Sequence, residues 1–139
     1  MFLITTADER TWKFDRSAVF LGEWCRRYDR KSIWEKMDAE VSKPYCPPLE
    51  QKKKEILFLR TLESELFEQI VAHLNSYHGV SHSNRYWQIL IGQWFRVFIE
   101  TVSFRFNAIK QCLDIYPVSD TSVLTPNFYF LATNDYLSF

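Results

Sequence analysis

The sequence predicts an α/β domain in which a small, mainly parallel sheet packs against two long helices. Two observations carry that reading. Short apolar, strand-like runs punctuate the first third of the chain, each followed at once by charged residues. From Glu50 to Ile115 the apolar residues instead recur at intervals of three and four, the period of a helix face. At 139 residues the chain is long enough to bury a core, and 47% hydrophobic with 24% charged residues is the balance of a globular protein rather than a disordered one.

Residues 2–6 and 18–21 read as two early buried strands, joined by the largely polar segment ADERTWKFDRS. Ser32 and Glu35 have capping-box spacing and predict a short helix through about Asp38. Residues 39–45 read as a third, weaker strand, and Pro44, Pro47 and Pro48 then break regular structure. Next comes an amphipathic helix marked by Ile56, Leu59, Leu62, Leu66, Ile70 and Leu74, with Gly79 placed to close it in the left-handed conformation. Ser83 can cap a second helix running from Asn84 to about Ile115, where Pro117 stops it. That helix is apolar nearly all round, which predicts burial on several sides. Residues 122–130 suggest a last strand, and Ala132 onward the start of a further helix. The expected organisation is a single α/β domain over 1–139, the N-terminal fragment of a longer protein. It has a strand and loop region at 1–48, a helical pair at 49–116, and a truncated strand and helix start at 117–139.

Composition excludes several classes. Lys plus Arg equals Asp plus Glu at 17 each, so no long-range field draws the chain toward nucleic acid. The three cysteines are widely spaced and lack a C-x-x-C pair, which argues against a disulfide framework or a zinc ribbon and favours a cytoplasmic setting. No apolar run approaches the length of a membrane span, so an integral membrane protein is not expected. The only glycines are Gly22, Gly79 and Gly92, too few for a phosphate-binding loop or a dinucleotide fingerprint. Twelve Phe, seven Tyr and five Trp demand a dense core or an aromatic interface.

Candidate chemistry gathers at the strand ends. Asp8, Glu9 and Glu23 follow buried strands and are the carboxylates best placed for general-base work, with ion pairing to Arg10, Arg16 or Lys13 as the competing explanation. Arg26, Arg27, Arg30 and Lys31 form a cationic cluster suited to an anion, or else a solvated loop paired with Asp29, Glu35 and Asp38. Trp12 and Trp24 could stack on a sugar or a base, against the commoner fate of core packing. Cys25, next to Arg26 and Arg27, is a weak candidate for a reactive thiolate. His78 and His82 have the spacing of paired metal ligands but straddle Gly79, so capping or surface roles are favoured and no metal is expected. Arg85, Arg96, Glu100 and Arg105 within the greasy helix imply ion pairs or a cleft wall.

The strings FLITTADERTWKFD, FLGEWCRRYDRK, IWEKMDAEV and YHGVSHSNRYWQILIGQWFR resemble the amino-terminal part of a transferase family found with O-antigen and other surface-polysaccharide biosynthesis genes. They cover roughly residues 2 to 105. The resemblance implies a cytoplasmic, nucleotide-sugar-dependent glycosyltransferase with two Rossmann-like halves, GT-B-like in architecture. This chain would be the acceptor-side half, facing a sugar or glycolipid acceptor, and is expected to be inactive alone because family members are several times longer. The donor nucleotide sugar would sit in the missing C-terminal half, and this chain would hold no cofactor itself. Carried over as cleft residues are Thr6, Asp8, Glu9, Trp12, Glu23, Trp24, Arg26, Asp29 and Arg30, with His78, His82 and Arg85 as further substrate-binding candidates. The alternative reading is a non-catalytic assembly module that uses the aromatic-rich second helix to bind a homodimer or other partner.

Overall fold

A computed structural model describes residues 1–124. They form two compact units, one made of Met1–Lys43 with the chain from Cys112 onward, the other of Pro44–Gln111.

The first unit is built on four parallel strands: β1 (Phe2–Ile4), β2 (Ala18–Phe20), β3 (Ala39–Val41) and β4 (Asp120–Thr121), in the order β3-β2-β1-β4. Phe2 lies beside Ala18 on one side and Asp120 on the other. Every residue of β1 and β2 is buried, as expected for central strands of a parallel sheet, which lose both faces to solvent. Trp12 folds back onto this interior, its ring meeting Phe20 edge-on at 5.3 Å and its indole N–H donating to the Thr6 carbonyl at 3.0 Å. Cys25 and Cys112 are also fully enclosed, and burial raises the Cys112 thiol pKa against an opposing hydrogen bond from Ser42.

Parallel neighbours cannot be joined by a tight hairpin, so each connection here is a crossover. The link from β1 to β2 contains a 3-10 turn at Glu9–Thr11. The link from β2 to β3 contains two more, Glu23–Cys25 and Tyr28–Arg30, and the single-turn helix α1 (Lys31–Trp34). The Ser32/Glu35 capping box does not form. Arg30 stands at the N-cap without a side-chain cap and Glu35 is already at the C-cap, because the Tyr28–Arg30 turn runs directly into the helix. The fourth strand is Asp120–Thr121 rather than a strand beginning at Ser122. The remainder of the expected 122–130 strand beyond Leu124, and the helix start from Ala132, lie outside the described residues.

The second unit is a pair of long helices, α2 (Leu49–His78) and α3 (Asn84–Ile115), the last turn of α3 belonging to the first unit. Pro48 at the N-cap marks where α2 begins. Phe67, Val71, Trp87, Phe95 and Ile99 form its buried centre, and Leu59, Leu62, Leu66, Ile70 and Leu74 pack around them. These are the apolar row that the sequence period marks on α2. At the far end Gly79 adopts φ 65°, its N–H bonds to the Ser76 carbonyl and that of Val80 to Asn75. This double closure is a Schellman motif, with Val80 tucked against the core. Asn75 then stitches the turn together, receiving the His82 N–H and the Trp87 indole N–H while donating to the His82 carbonyl. Ser83 caps α3 by accepting from the Tyr86 N–H. Arg96 pairs with Glu63 across the two helices, 3.1 Å to each carboxylate oxygen, supplying one of the partners that the charged residues of α3 call for.

This chain alone does not bury α3 on several sides. Ile89, Leu90, Trp94, Val97, Phe98, Val102 and Phe106 are all about half exposed or more. Among the described helices none is long and apolar enough to cross a membrane.

Candidate functional site at the strand ends

The strand order creates the site. From β1 the chain steps to β2 on one side, and much later returns to pair β4 on the other. In open parallel sheets, ligands collect outside the carboxyl ends of the strands at such a reversal. The residues leaving β1 there are Thr5 and Thr6, and the residue leaving β4 is Ser122. Strand order is not encoded in any local pattern, so Thr5 and Ser122 carried no signal in the sequence.

The loop after β1 is a small hydrogen-bonded knot. Thr6 and Thr11 share a hydrogen bond between their hydroxyls at 3.1 Å, Thr6 Oγ1 accepts the Asp8 N–H, and Thr11 donates to the Asp8 carbonyl. Asp8 caps the following turn by accepting the Arg10 N–H, and grips the Arg10 guanidinium through both carboxylate oxygens. The β1 loop therefore holds its shape through its own polar side chains, a preorganised rim rather than a slack connection.

Ion pairs line that rim. Arg30 reaches back across the sheet end to hold Glu9 bidentately, at 2.5 and 2.8 Å, tying the β2–β3 crossover to the β1 loop. Arg26 holds Glu23 in the same way at 2.8 and 2.7 Å, with its guanidinium 4.6 Å above the Trp34 ring. Arg27 holds Asp29, and its carbonyl receives the Trp34 indole N–H. Asp8, Glu9, Glu23 and Asp29 are each held below the ordinary carboxylate range, first by the hydrogen bonds from their arginines. A general base needs a pKa near the working pH, and these shifts run the other way. In this arrangement the carboxylates are anchors for arginine.

Partner choice is the instructive part. Asp8 pairs with Arg10, one of the partners weighed from sequence, whereas Glu9 pairs with Arg30, twenty-one residues away, and Glu23 with Arg26. Arg26, Asp29 and Arg30 do share one stretch with the cationic cluster, but as three paired latches.

Other candidates take different roles. Trp12 is only 4% exposed and packs into the core of the sheet unit. Trp24 is half-buried and lies against Gly22, where a Cβ would come within 2.3 Å of the indole ring, so a side chain there would have to displace that ring. Cys25 is buried, which removes it as an accessible thiolate. His78, His82 and Arg85 belong to the helical unit rather than to the strand ends. His78 ends α2 with its ring against Trp87, His82 packs on Tyr86 at 3.9 Å between ring centres, and Arg85 is exposed in the first turn of α3. The two histidines are thus parts of an aromatic cluster at the helix turn. Among the described residues no group of His, Cys, Asp and Glu is arranged to hold a metal ion.

The described residues thus combine a parallel α/β unit, with an arginine–carboxylate rim at its strand ends, and a helical pair. The chain belongs to the LIC12162 family of transferases, whose family model matches residues 1–139. No curated protein matches it, and no solved structure does.

Proposed function

We propose that this chain is the acceptor-side, N-terminal half of a GT-B-like, nucleotide-sugar-dependent glycosyltransferase of surface-polysaccharide (O-antigen) assembly in the cytoplasm. Membership of a transferase family supports the reaction type at its coarsest. The resemblance of the motif strings to transferases encoded with polysaccharide genes supports the substrate class. The observation that carries the reading is the reversal between β1 and β4, with Thr6, Asp8, Glu9, Arg10 and Arg30 built around it.

In this reading the rim orients an acceptor hydroxyl toward a donor held by the other half. Arg26 and Arg30 engage an acidic or phosphorylated acceptor, exchanging a carboxylate of the protein for one of the ligand. Asp8 and the two threonines fix the loop that presents the acceptor; transfer forms the bond from the acceptor oxygen to the sugar's anomeric carbon, breaks the bond between sugar and nucleotide, and releases the nucleotide and the hydroxyl proton. Positioning of this kind contributes to rate because it removes orientational freedom before the reaction.

The test uses a full-length family member and its nucleotide-sugar donor. Arg30→Ala is expected to raise KM for the acceptor about tenfold, close to 1.4 kcal/mol of lost binding, with KM for the donor unchanged. A change confined to the donor KM would reverse the assignment of the halves. Failure of the folded full-length protein to turn over any nucleotide sugar would reject glycosyl transfer.

A further inference from the structure

Tyr86, Leu90, Trp94, Phe98 and Val102 fall at successive intervals of four on α3, so they form one ridge along the helix. Their exposures are 42%, 58%, 62%, 50% and 52%, and the Trp94 and Phe98 rings already stack in parallel, 5.3 Å apart and 15° from coplanar. No charged residue occurs from Tyr86 to Phe95. Arg85 stands at one end, just before Tyr86, while Arg96 and Glu100, the charges that first interrupt the apolar run, line the groove facing α2 rather than the ridge. A solvated helix face does not look like this, and a ridge of this length is a surface made for another apolar surface.

We propose that this ridge is the seam of a twofold dimer, its occupant the same ridge on a second copy of this chain. The row is symmetric about its centre. Turned end for end about Trp94, Leu90 of one copy faces Phe98 of the other, Tyr86 faces Val102, and Trp94 meets Trp94. That self-complementarity is what an isologous contact requires. With the flanking Val97, itself 49% exposed, the row offers on the order of 700 Å² of apolar surface per copy, approaching the roughly 800 Å² per partner of a standard stable interface. An uncharged ridge brings no like-charge repulsion to the seam, which a surface meant for an acidic or basic partner would not need to avoid. The inference is independent of glycosyl transfer and stands or falls by itself.

The experiment is sedimentation equilibrium of the full chain over micromolar concentrations, beside Trp94→Arg and, as a control on the other helix, Phe58→Arg. Phe58 is 64% exposed on α2 and off the seam. The wild type and Phe58→Arg are expected to sediment as dimers and Trp94→Arg as a monomer, with all three showing the same helical circular dichroism. A second variant reads the geometry directly. Cys46 is exposed, so the cross-linking background is Cys46→Ser, in which Trp94→Cys is expected to form a disulfide-linked dimer on mild oxidation because position 94 meets itself across the axis. A monomeric wild type, a Trp94→Arg variant that still dimerises, or no cross-link through position 94 overturns the proposal. Binding of the monomer to lipid vesicles in place of self-association overturns it as well.

Discussion

The sheet unit and the helical pair end their apolar surfaces in opposite ways. In the first, Phe2, Leu3, Ile4, Val19 and Phe20 are all 4% exposed or less, and what reaches solvent at the strand ends is a set of arginine–carboxylate pairs. In the second, Phe67, Val71, Trp87, Phe95 and Ile99 close a small centre, while seven large apolar side chains along α3, from Ile89 to Phe106, stay about half exposed or more. A closed interior with a polar rim suits a small polar ligand. An open apolar ridge suits a macromolecular surface. Both sets of side chains come from one chain whose charges sum to zero, so the contrast between them lies in placement and not in net charge.

Two tryptophans sharpen that comparison most. Trp12→Ala removes a buried ring and a hydrogen bond from the sheet unit, and is expected to lower unfolding free energy by about 3–5 kcal/mol in urea melts. Trp94→Ala, measured dilute enough to keep copies apart, is expected to stay within about 0.5 kcal/mol of wild type. Equal losses at the two sites would break the contrast. Between those extremes, Gly22→Ala forces the Trp24 ring away from the backbone and is expected to cost about 1–3 kcal/mol, visible as a changed tryptophan emission spectrum. In the helical pair Gly79→Ala meets no neighbour but must hold φ 65°, so its cost is pure backbone strain, about 1 kcal/mol, and the spectrum should not move.

The smallest effects are electrostatic. Glu9 has a folded-state pKa below its ordinary value, so the unfolded chain binds the proton more readily, and stability gained above the ordinary carboxylate pKa is lost as pH falls through the lowered one. Arg30→Ala is expected to return Glu9 toward its ordinary titration in NMR and to flatten part of the acid limb of the stability curve. No movement of the Glu9 resonance would show that the latch is not formed in solution. In the helical unit the sign is reversed. Burial, with Glu55 accepting from its hydroxyl, pushes Tyr45 up to about 12, so its contribution is present below the free phenol pKa and lost as pH rises toward 12. Ultraviolet titration of Glu55→Gln should bring that step down.

Much of the fold was legible because long repeats average out local noise. α2 and α3 begin and end within a residue or two of where the apolar period, Gly79, Ser83 and Pro117 place them. β1 and β2 were legible as apolar runs. β4 was not, since Asp120 and Thr121 are exposed and polar and owe their strand to hydrogen-bonded neighbours from the start of the chain. The Thr121 hydroxyl donates to Leu3, and the Ser119 N–H to Met1. The site was half legible for the same reason. Sequence marked the charged strand ends, but the link from Glu9 to Arg30 depends on two loops meeting, and that depends on strand order. The capping box failed because a helix of one turn inherits its start from the turn before it.

The pairing of β1 with β4 joins residues 118 apart, Phe2 with Asp120, and that separation bears on how the chain folds. Closing so long a loop in an unfolded chain is slow and entropically costly. The antiparallel helices and their Gly79 turn contain mostly local contacts, and once zipped they bring the ends of their own segment near each other. Helix pairing should therefore precede sheet closure, with the hairpin acting as a clasp that shortens the path between β3 and β4. Pulsed hydrogen exchange would see α2 and α3 amides protected before those of β1; the reverse order would mean that the strands find each other unaided.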